Sequence, residues 1–364
     1  RHHAPFPKGI PMRTATRLDS IDALRGLAVA AMLFVNDPGS WEHVYWAFDH
    51  AAWHGCTPTD LVFPFFLFIV GVSLALSTGA RLEQGTPPGQ LRGPLLVRAA
   101  RIVVVGLVLH AVAYWLMHKP HYRPLGVLQR IGIDFAVVGL LALYTTVRTQ
   151  WLVIGALLLG YGALLLAGGD LSKAGNIASQ FDTRILGAWA YEFDPATGLG
   201  HEPEGLLSTL PSIATTLLGY RAGSWLRQRR IQALVVSGIL LLAAGWASSY
   251  AIPFNKNLWT PSFTLWTAGW ASLAVALAHW AIDRQGLPAV GRAFGRNAIA
   301  AYALSWLLTC VVEGFGWSAS IYATGFGWLS GAPLLQSHAY ALAWVALFAG
   351  VVGVMDRHRV YIKL

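Results

Sequence analysis

The residues best suited to chemistry lie between positions 34 and 66, in the segment FVNDPGSWEHVYWAFDHAAWHGCTPTDLVFPFF. This segment contains Asn36, His50, His54 and Asp60, and it has no Lys or Arg. An imidazole with a pKa near 6.5 can accept a proton at neutral pH, a carboxylate can hold its tautomer, and an amide can donate to an oxyanion. Two simpler interpretations stay open: the histidines could be hydrogen-bonded residues of a membrane interface, and Asp60 could cap a helix.

Three further polar clusters adjoin apolar segments. They are RPLGVLQRIGID from residue 123, HEPEGLLSTLPS at 201–212 and PFNKNLWTPSF at 253–263. Polar groups at the edge of hydrocarbon cost on the order of several kcal/mol unless they are paired, so such clusters indicate functional positions. If all four clusters lie at one face of a membrane, they form one shared pocket.

Composition indicates that membrane-spanning helices position these clusters. Hydrophobic residues make up 55% of the 364 residues and charged residues 12%, far below the roughly 25% usual for soluble chains. The net charge of +9 is spread too thinly to form a nucleic-acid surface, and the histidines and two cysteines show no metal-ligand spacing. We therefore predict an all-α polytopic membrane protein with the lipid bilayer as a partner, no nucleic acid and no metal.

A segment of about 20 mostly apolar residues can cross a bilayer as a helix. Ten such segments are predicted. An eleventh, re-entrant segment could lie at Ile321–Leu329, although the Gly, Ser and Pro residues there favour a loop. The approximate bounds of the ten are 22–36, 61–79, 99–117, 130–147, 151–168, 206–224, 231–252, 263–281, 297–313 and 338–355.

The distribution of positive charge predicts the orientation of these spans. With both termini in the cytoplasm, 20 of the 26 lysines and arginines fall in cytoplasmic segments, as the positive-inside rule requires. All four polar clusters then lie at the outer face. Residues 1–16 are predicted to be a cytoplasmic segment whose start could be a tag remnant, and 17–364 a single membrane domain with an outer loop at about 169–205.

Six ordered motifs carry a resemblance to a known family. They are LDSIDALRGLAVAAMLFVN, HAAWHGCTPTDLVFPFFLFIVGVSLALS, RPLGVLQRIGI, EPEGLLSTLPSIATTLLG, NKNLWTPSF and FGRNAIAAYALS. The chain resembles the transmembrane acetyltransferase family of heparan-α-glucosaminide N-acetyltransferase and its bacterial inner-membrane relatives. The resemblance implies transfer of acetyl from acetyl-CoA to the amino group of a glucosamine-type sugar. It also implies that His50 is the central catalytic residue, with Asn36 matching the family's asparagine.

Within that implied reaction, further residues receive roles. Asp60 would orient His50, and Asn36 would donate to the oxyanion. Whether His50 acts as a general base or carries the acetyl group as an acyl-imidazole stays open. The predicted sugar contacts are His54, Gln129, Arg130, Glu204, Lys256 and Trp259. The predicted phosphate contacts for coenzyme A are Arg98, Arg101, Arg221 and Arg296, each of which could instead be a positive-inside anchor.

Several alternatives remain at this point. The acceptor is expected to be glucosamine, a chitin-derived oligosaccharide or a cell-envelope glycan, and the location a bacterial inner membrane. The protein could form a homodimer. A different class, an inner-membrane transporter of amino sugars, also fits a polytopic protein with an outer pocket, but transporters usually bind near the midplane and often show internal repeats.

Overall fold

The computed structural model describes residues 18–362. The predicted segment 1–16 lies outside the described residues, as do Arg17 and the last two positions of the predicted membrane domain. The helices are α1 Asp19–Asn36, α2 Val62–Leu74, α3 Ala80–Glu83, α4 Pro88–Leu116, α5 Val127–Tyr144, α6 Val147–Gly168, α7 Ile177–Leu186, α8 Thr209–Arg227, α9 Ile231–Ser248, α10 Pro261–Ala278, α11 Arg292–Arg296, α12 Ala298–Gly314, α13 Ser318–Phe326 and α14 Pro333–Arg357. Two π-helical turns, Ala75–Gly79 and His279–Arg284, extend α2 and α10.

Each of the ten predicted spans overlaps a helix, and nine of them agree with its ends to within several residues, whereas α4 begins 11 residues before the span predicted at 99–117. Seven helices of the described chain are long and apolar enough to cross a membrane by length and composition. α12 and α13 together would make an eighth, although they meet at a bend of 96°. α1 and α8 are long enough but do not meet the standard of apolar composition, so ten spans and the cytoplasmic placement of both termini stay predictions.

Two local features differ from the sequence-based expectations. Residues 318–326 form α13, where Gly, Ser and Pro favoured a loop. The expected all-α fold also contains one antiparallel hairpin, formed by β1 Glu192–Asp194 and β2 Leu199–His201. The hairpin turns at Gly198, whose φ of 67° suits glycine. Three residues of each strand pair with the other strand.

Local sequence signals account for several helix ends. Asn176 accepts a hydrogen bond from the backbone of Ser179 at 2.8 Å and so caps α7. Proline stands in the first turn of α4, α10 and α14, where its missing N–H costs nothing. α6 ends at Gly168 and is followed by Gly169, whose φ of 72° suits glycine.

Close packing of α2 against α8 fixes the helix that follows the histidine-rich segment. A Cβ on Gly71 would lie 2.0 Å from the carbonyl oxygen of Thr216, and one on Gly219 would lie 2.0 Å from that of Phe68. Small residues let two helix backbones approach this closely in a membrane protein. The buried Phe68 and Leu217 belong to the same apolar cluster, which packs α2, α8, α5 and α10 together.

Candidate active site

His50 lies in the connection between α1 and α2, and Asp60 holds its ring. His50 Nδ1 and Asp60 Oδ1 are 2.7 Å apart. An ionised carboxylate can only accept a hydrogen bond, so Nδ1 carries the proton and the lone pair of the neutral ring lies on Nε2. The His50 side chain is 37% exposed and that of Asp60 only 1%. The potential base is therefore accessible, whereas the group that orients it is buried.

Asp60 is itself fixed by the residues before it. Its Oδ2 accepts hydrogen bonds from the backbone N–H of Ala51 at 3.1 Å, and from the backbone N–H of Thr57 at 3.0 Å and its hydroxyl at 3.1 Å. The carboxylate thus folds the loop back onto the start of α2. It does not cap that helix, because no side chain provides the cap at Leu61.

Lys256 reaches the same histidine from the connection between α9 and α10. Its Nζ is 3.2 Å from both ring nitrogens of His50. Burial lowers the pKa of Lys256 from its usual range, although the carboxylates of Asp60 and Glu204 oppose this effect. An amine, an imidazole and a carboxylate thus stand in sequence, the pattern of a nucleophile with its base and orienting group.

Arg123, Glu202 and Glu204 form an ionic cluster beside this site. The Arg123 guanidinium contacts both carboxylates, and its cation also lies 4.6 Å from the centroid of the Tyr191 ring. Burial opposes the charge of Glu204, but Arg123 and the other nearby cations, Arg130 and Lys256, outweigh it, so the pKa of Glu204 lies below its usual range. The cluster fastens the hairpin segment to the start of α5.

We expect Arg123→Met to destabilise the protein by about 3–5 kcal/mol, because it leaves two carboxylates facing each other in a largely buried place. Thermal unfolding in detergent measures the change. Lys173→Met is the matched control, since Lys173 pairs with Glu192 of the same hairpin but both side chains are about half exposed, and such a pair contributes about 0–1 kcal/mol. Equal shifts for the two variants would contradict a stabilising role of the cluster.

A cavity of about 1230 Å³ lies toward the other end of α2. We call it the arginine cavity because seven described arginines line it: Arg25, Arg98, Arg101, Arg227, Arg229, Arg284 and Arg296. Guanidinium groups bind phosphate with paired hydrogen bonds, so a ligand with several phosphates suits this lining. Arg296 is already engaged in part, because it donates to Asp356 at 3.0 Å.

The arginine cavity runs along α2 toward the histidine. Its lining includes Ser77 near one end of this helix and Phe66 near the other, which are separated by about 16 Å of helical rise. Phe66 is in turn about 9 Å of rise from Asp60. Ile131, one turn inside α5, also lines the cavity. The arginine cavity therefore follows most of the length of α2, and His50, Asp60 and Lys256 lie beyond its lining.

A second cavity, of about 940 Å³, lies at the His50 end of the bundle. We call it the aromatic cavity. It is lined by Trp41, Tyr114, Tyr191, Phe193, Trp306, Tyr340 and Trp344. Asn36 and His110 belong to its wall. His110 donates from Nδ1 to the carbonyl oxygen of Arg123 at 2.7 Å and stacks on Trp306.

The charges in the aromatic cavity are nearly balanced. Arg123 is held by two carboxylates outside the lining, and Glu192 is held by Lys173. The remaining charged lining residues among the described ones are Asp37, Glu313 and Lys119. Burial raises the pKa of Asp37 to about 6, against the hydrogen bond from Thr309.

The structure brings some of the sequence-predicted residues together and separates others. His50, Asp60 and Lys256 form one cluster, and Glu204 belongs to the ionic cluster beside it. Asn36 ends α1 in the wall of the aromatic cavity, and no hydrogen bond joins it to His50 in the described chain. His54 lies 3.5 Å from the amide nitrogen of Asn255.

Three other predicted sugar contacts are buried. Arg130 is 2% exposed and donates to the Ser208 hydroxyl at 2.5 Å; its cation lies 5.1 Å from the centroid of the Trp259 ring. Trp259 is 1% exposed, so it offers no open face to a sugar in this conformation. Gln129 donates to the carbonyl oxygen of Pro124 at 3.1 Å, and its own Oε1 has no hydrogen-bond partner among the described residues.

Three of the four predicted phosphate contacts lie in the arginine cavity. Arg98, Arg101 and Arg296 line the arginine cavity, whereas Arg221 does not. Arg221 is buried and donates to Gln150 at 3.3 Å, which favours a packing role between α8 and α6. No group of three potential metal ligands occurs among residues 18–362.

Sequence reasoning missed the cavity-lining roles of His110, Trp306 and Arg227. His110 lies within the apolar span predicted at 99–117, and no residue near it in sequence is an evident partner. Its partner is a backbone carbonyl 13 residues later, which side-chain patterns do not reveal. Arg227 adjoins Arg229 and Arg230, and this local concentration of charge was the available signal.

The fold and the site together define a polytopic helical membrane protein with the cluster of His50, Asp60 and Lys256 at one end of the bundle and an arginine-lined cavity running toward it. The chain belongs to the heparan-alpha-glucosaminide N-acetyltransferase catalytic family, whose family model matches residues 17–248. The family resemblance predicted from the six motifs is confirmed.

Two relatives illustrate this similarity. Heparan-alpha-glucosaminide N-acetyltransferase of Mus musculus is 30% identical across 75% of this chain and 50% of that protein. The protein of the same name from Homo sapiens is 30% identical across 74% of this chain and 50% of its own length. The chain thus spans about half the length of the curated relatives it matches.

Proposed function

We propose that this protein is a membrane acetyltransferase that moves acetyl from acetyl-CoA in the arginine cavity to the amino group of a glucosamine-type sugar near His50. One observation carries the proposal. The arginine cavity follows α2 from a lining of arginines, which suits a ligand with phosphates, to about 9 Å of helical rise from Asp60, which holds His50. Family membership supports the reaction class, and the course of the cavity along α2 supports an approach of the thioester toward His50.

His50 acts as the base in this reaction. The amine attacks the thioester carbonyl only in its deprotonated form, and Nε2 is the nitrogen with a free lone pair while Asp60 holds Nδ1. Lys256 Nζ lies 3.2 Å from Nε2 of this ring. This distance supports the proposal that an amine can reach the base. A carbonyl carbon that approaches from the arginine cavity would meet the amine there.

The aromatic cavity is the proposed entrance for the sugar. Aromatic rings present apolar faces that can stack on sugar rings, and Asn36 supplies an amide in the same wall. Its lining holds few free cations, because Arg123 is neutralised by Glu202 and Glu204. Anionic groups such as sulfate are bound most strongly by charged hydrogen bonds from Arg or Lys. A neutral or cationic amino-sugar glycan fits this lining better than a sulfated one.

The orientation and the membrane complete the proposal. The charge distribution favours a cytoplasmic arginine cavity and an outer His50 end, so acetyl would cross most of the bilayer between donor and acceptor. A bacterial inner membrane and a possible homodimeric state remain predictions from the sequence. The assay that tests the function is purified protein with radiolabelled acetyl-CoA and a panel of amino sugars, in which label should appear on glucosamine or its oligomers.

We expect coenzyme A to raise the thermal midpoint of the detergent-solubilised protein. A ligand that binds only the folded state stabilises it by about 2.7 kcal/mol at one hundred times its Kd. Arg98→Ala and Arg101→Ala should each weaken coenzyme A binding by about 10- to 100-fold, since each removes charged hydrogen bonds worth about 1.5–3 kcal/mol. Thermal unfolding measures the shift of the midpoint, and binding calorimetry measures the affinities of the variants.

Arg148→Ala is the matched control for the donor cavity. Arg148 is an exposed arginine at the start of α6 that does not line the cavity, so its loss should leave coenzyme A affinity unchanged. If coenzyme A shifts neither the unfolding curve nor the calorimeter signal, the acetyltransferase proposal loses its donor. The amino-sugar transporter would then be favoured.

A further inference from the structure

We propose that Lys256 is a self-acetylation site: when acetyl-CoA is bound and no amino sugar is present, its Nζ takes the acetyl group. This inference rests on the proposed function, because it uses the same donor and the same base. Lys256 Nζ lies 3.2 Å from both nitrogens of His50, and His50 is held by Asp60 at 2.7 Å. The internal amine thus stands where the proposed substrate amine must come.

The other groups around Lys256 favour this reaction. Its backbone belongs to the ordered turn before α10. In this turn the backbone N–H of Asn255 donates to the Thr260 hydroxyl at 3.1 Å, and the backbone N–H of Leu258 donates to the side-chain oxygen of Asn255 at 2.8 Å. The side chain is therefore carried by a fixed backbone. Burial lowers the pKa of Lys256, which increases the fraction of free amine at neutral pH. A desolvated lysine beside a base has the features of an activated nucleophile.

The chemical step is balanced without any further reactant. The free amine of Lys256 attacks the thioester carbonyl carbon of acetyl-CoA, so an N–C bond forms and the C–S bond breaks. The proton of the amine passes to Nε2 of His50 and then to the departing sulfur of coenzyme A. The products are an acetylated lysine and free coenzyme A.

The acetylated lysine would be an end product and not an intermediate. An amide is far less reactive than a thioester, so the acetyl group would not move on to a sugar. The modification removes the positive charge next to His50 and Asp60 and adds bulk at the position of the acceptor amine. The protein would therefore lose activity slowly when donor is abundant and acceptor is scarce.

The described chain offers two internal controls. Lys119 and Lys173 lie in the segments at the same end of the bundle, and both are exposed. Neither has a hydrogen bond to a histidine in the described structure; Lys173 pairs with Glu192. Chemical acetylation by the thioester in solution should favour such exposed lysines, whereas acetylation assisted by His50 should favour Lys256.

The experiment is incubation of the purified full-length protein with isotopically labelled acetyl-CoA, without acceptor, followed by proteolysis and mass spectrometry. We expect label on Lys256 to exceed that on Lys119 and Lys173, to fall about 10²-fold in rate in His50→Ala, and to be suppressed by excess glucosamine. Sugar transfer should decline with preincubation time in step with Lys256 labelling. Thermal unfolding and coenzyme A binding verify that the His50→Ala protein is folded.

Two outcomes would overturn this inference in distinguishable ways. If the same preparation acetylates glucosamine while Lys256 stays unlabelled, or is labelled equally in His50→Ala, self-acetylation is wrong and the proposed function stands. If neither glucosamine nor Lys256 receives label and coenzyme A does not bind, the proposed function fails and the inference fails with it.

Discussion

His50→Ala should lower acetyl transfer to an amino sugar by about 10²–10⁴-fold, or about 3–5 kcal/mol of barrier, because the variant loses its general base. Folding and coenzyme A binding should be nearly unchanged. His50 is more than a third exposed and does not line the arginine cavity. Steady-state transfer with radiolabelled donor gives the rates, and calorimetry gives the donor affinity.

His43→Ala is the matched control for this prediction. His43 lies in the same connection between α1 and α2, where its Nδ1 is 3.3 Å from the Ser40 hydroxyl. It is half-buried, like His50, but contacts neither Asp60 nor Lys256 in the described chain. Small and similar losses in both variants would mean that His50 is only a polar residue of the membrane interface.

Asp60→Asn should reduce the turnover rate by roughly 10²-fold or more while the KM for acetyl-CoA changes little. A neutral amide can donate to Nδ1, so the ring can adopt the tautomer whose lone pair faces away from the substrate. An Asp-to-Asn change in the serine-protease triad, a worked example of the same logic, costs about 10⁴ in turnover. The variant also loses charged acceptor bonds to Thr57 and Ala51, worth on the order of 1–3 kcal/mol of stability.

Asp49→Asn is the matched control for Asp60→Asn. It changes a carboxylate in the same connection between α1 and α2 without changing the contact that orients the His50 ring. Asp49 precedes His50 and accepts a hydrogen bond from its backbone N–H at 2.8 Å, but it is exposed and does not touch the imidazole. We expect its turnover to stay within a few-fold of the parent protein. An Asp60→Asn protein that is stable, binds coenzyme A and retains full turnover would refute the orienting role.

The helices were predictable because charge-free runs indicate spans, but their ends were not. The span predicted at 99–117 belongs to α4, which begins at Pro88. Its first three turns carry Arg92 and Arg98. A span predicted from hydropathy ends at such charged residues, although the helix continues through them. The backbone hydrogen bonds of a helix do not require apolar side chains. Arg98 instead lines the arginine cavity.

The candidate site was predictable only where its parts are near in sequence. His50 and Asp60 are ten residues apart in one loop, so their contact could be anticipated. The contact between His50 and Lys256 joins positions 206 residues apart, and it depends on how α2 and α10 pack. The polar residues at this end of the bundle divide, for the same reason, between the cluster of His50, Asp60 and Lys256 and the aromatic cavity. Sequence pattern places residues at a membrane face, but tertiary packing decides which of them share a cavity.

The most direct test of the account is transfer across a sealed membrane. Proteoliposomes would contain the protein with glucosamine trapped inside and radiolabelled acetyl-CoA added outside, with the His50→Ala variant assayed in parallel. The account predicts labelled N-acetylglucosamine in the lumen, formed by the molecules whose arginine cavity faces outward, and its loss in His50→Ala. Export of unmodified glucosamine without any labelled product, or product formed only when donor and sugar are on the same side, would contradict it.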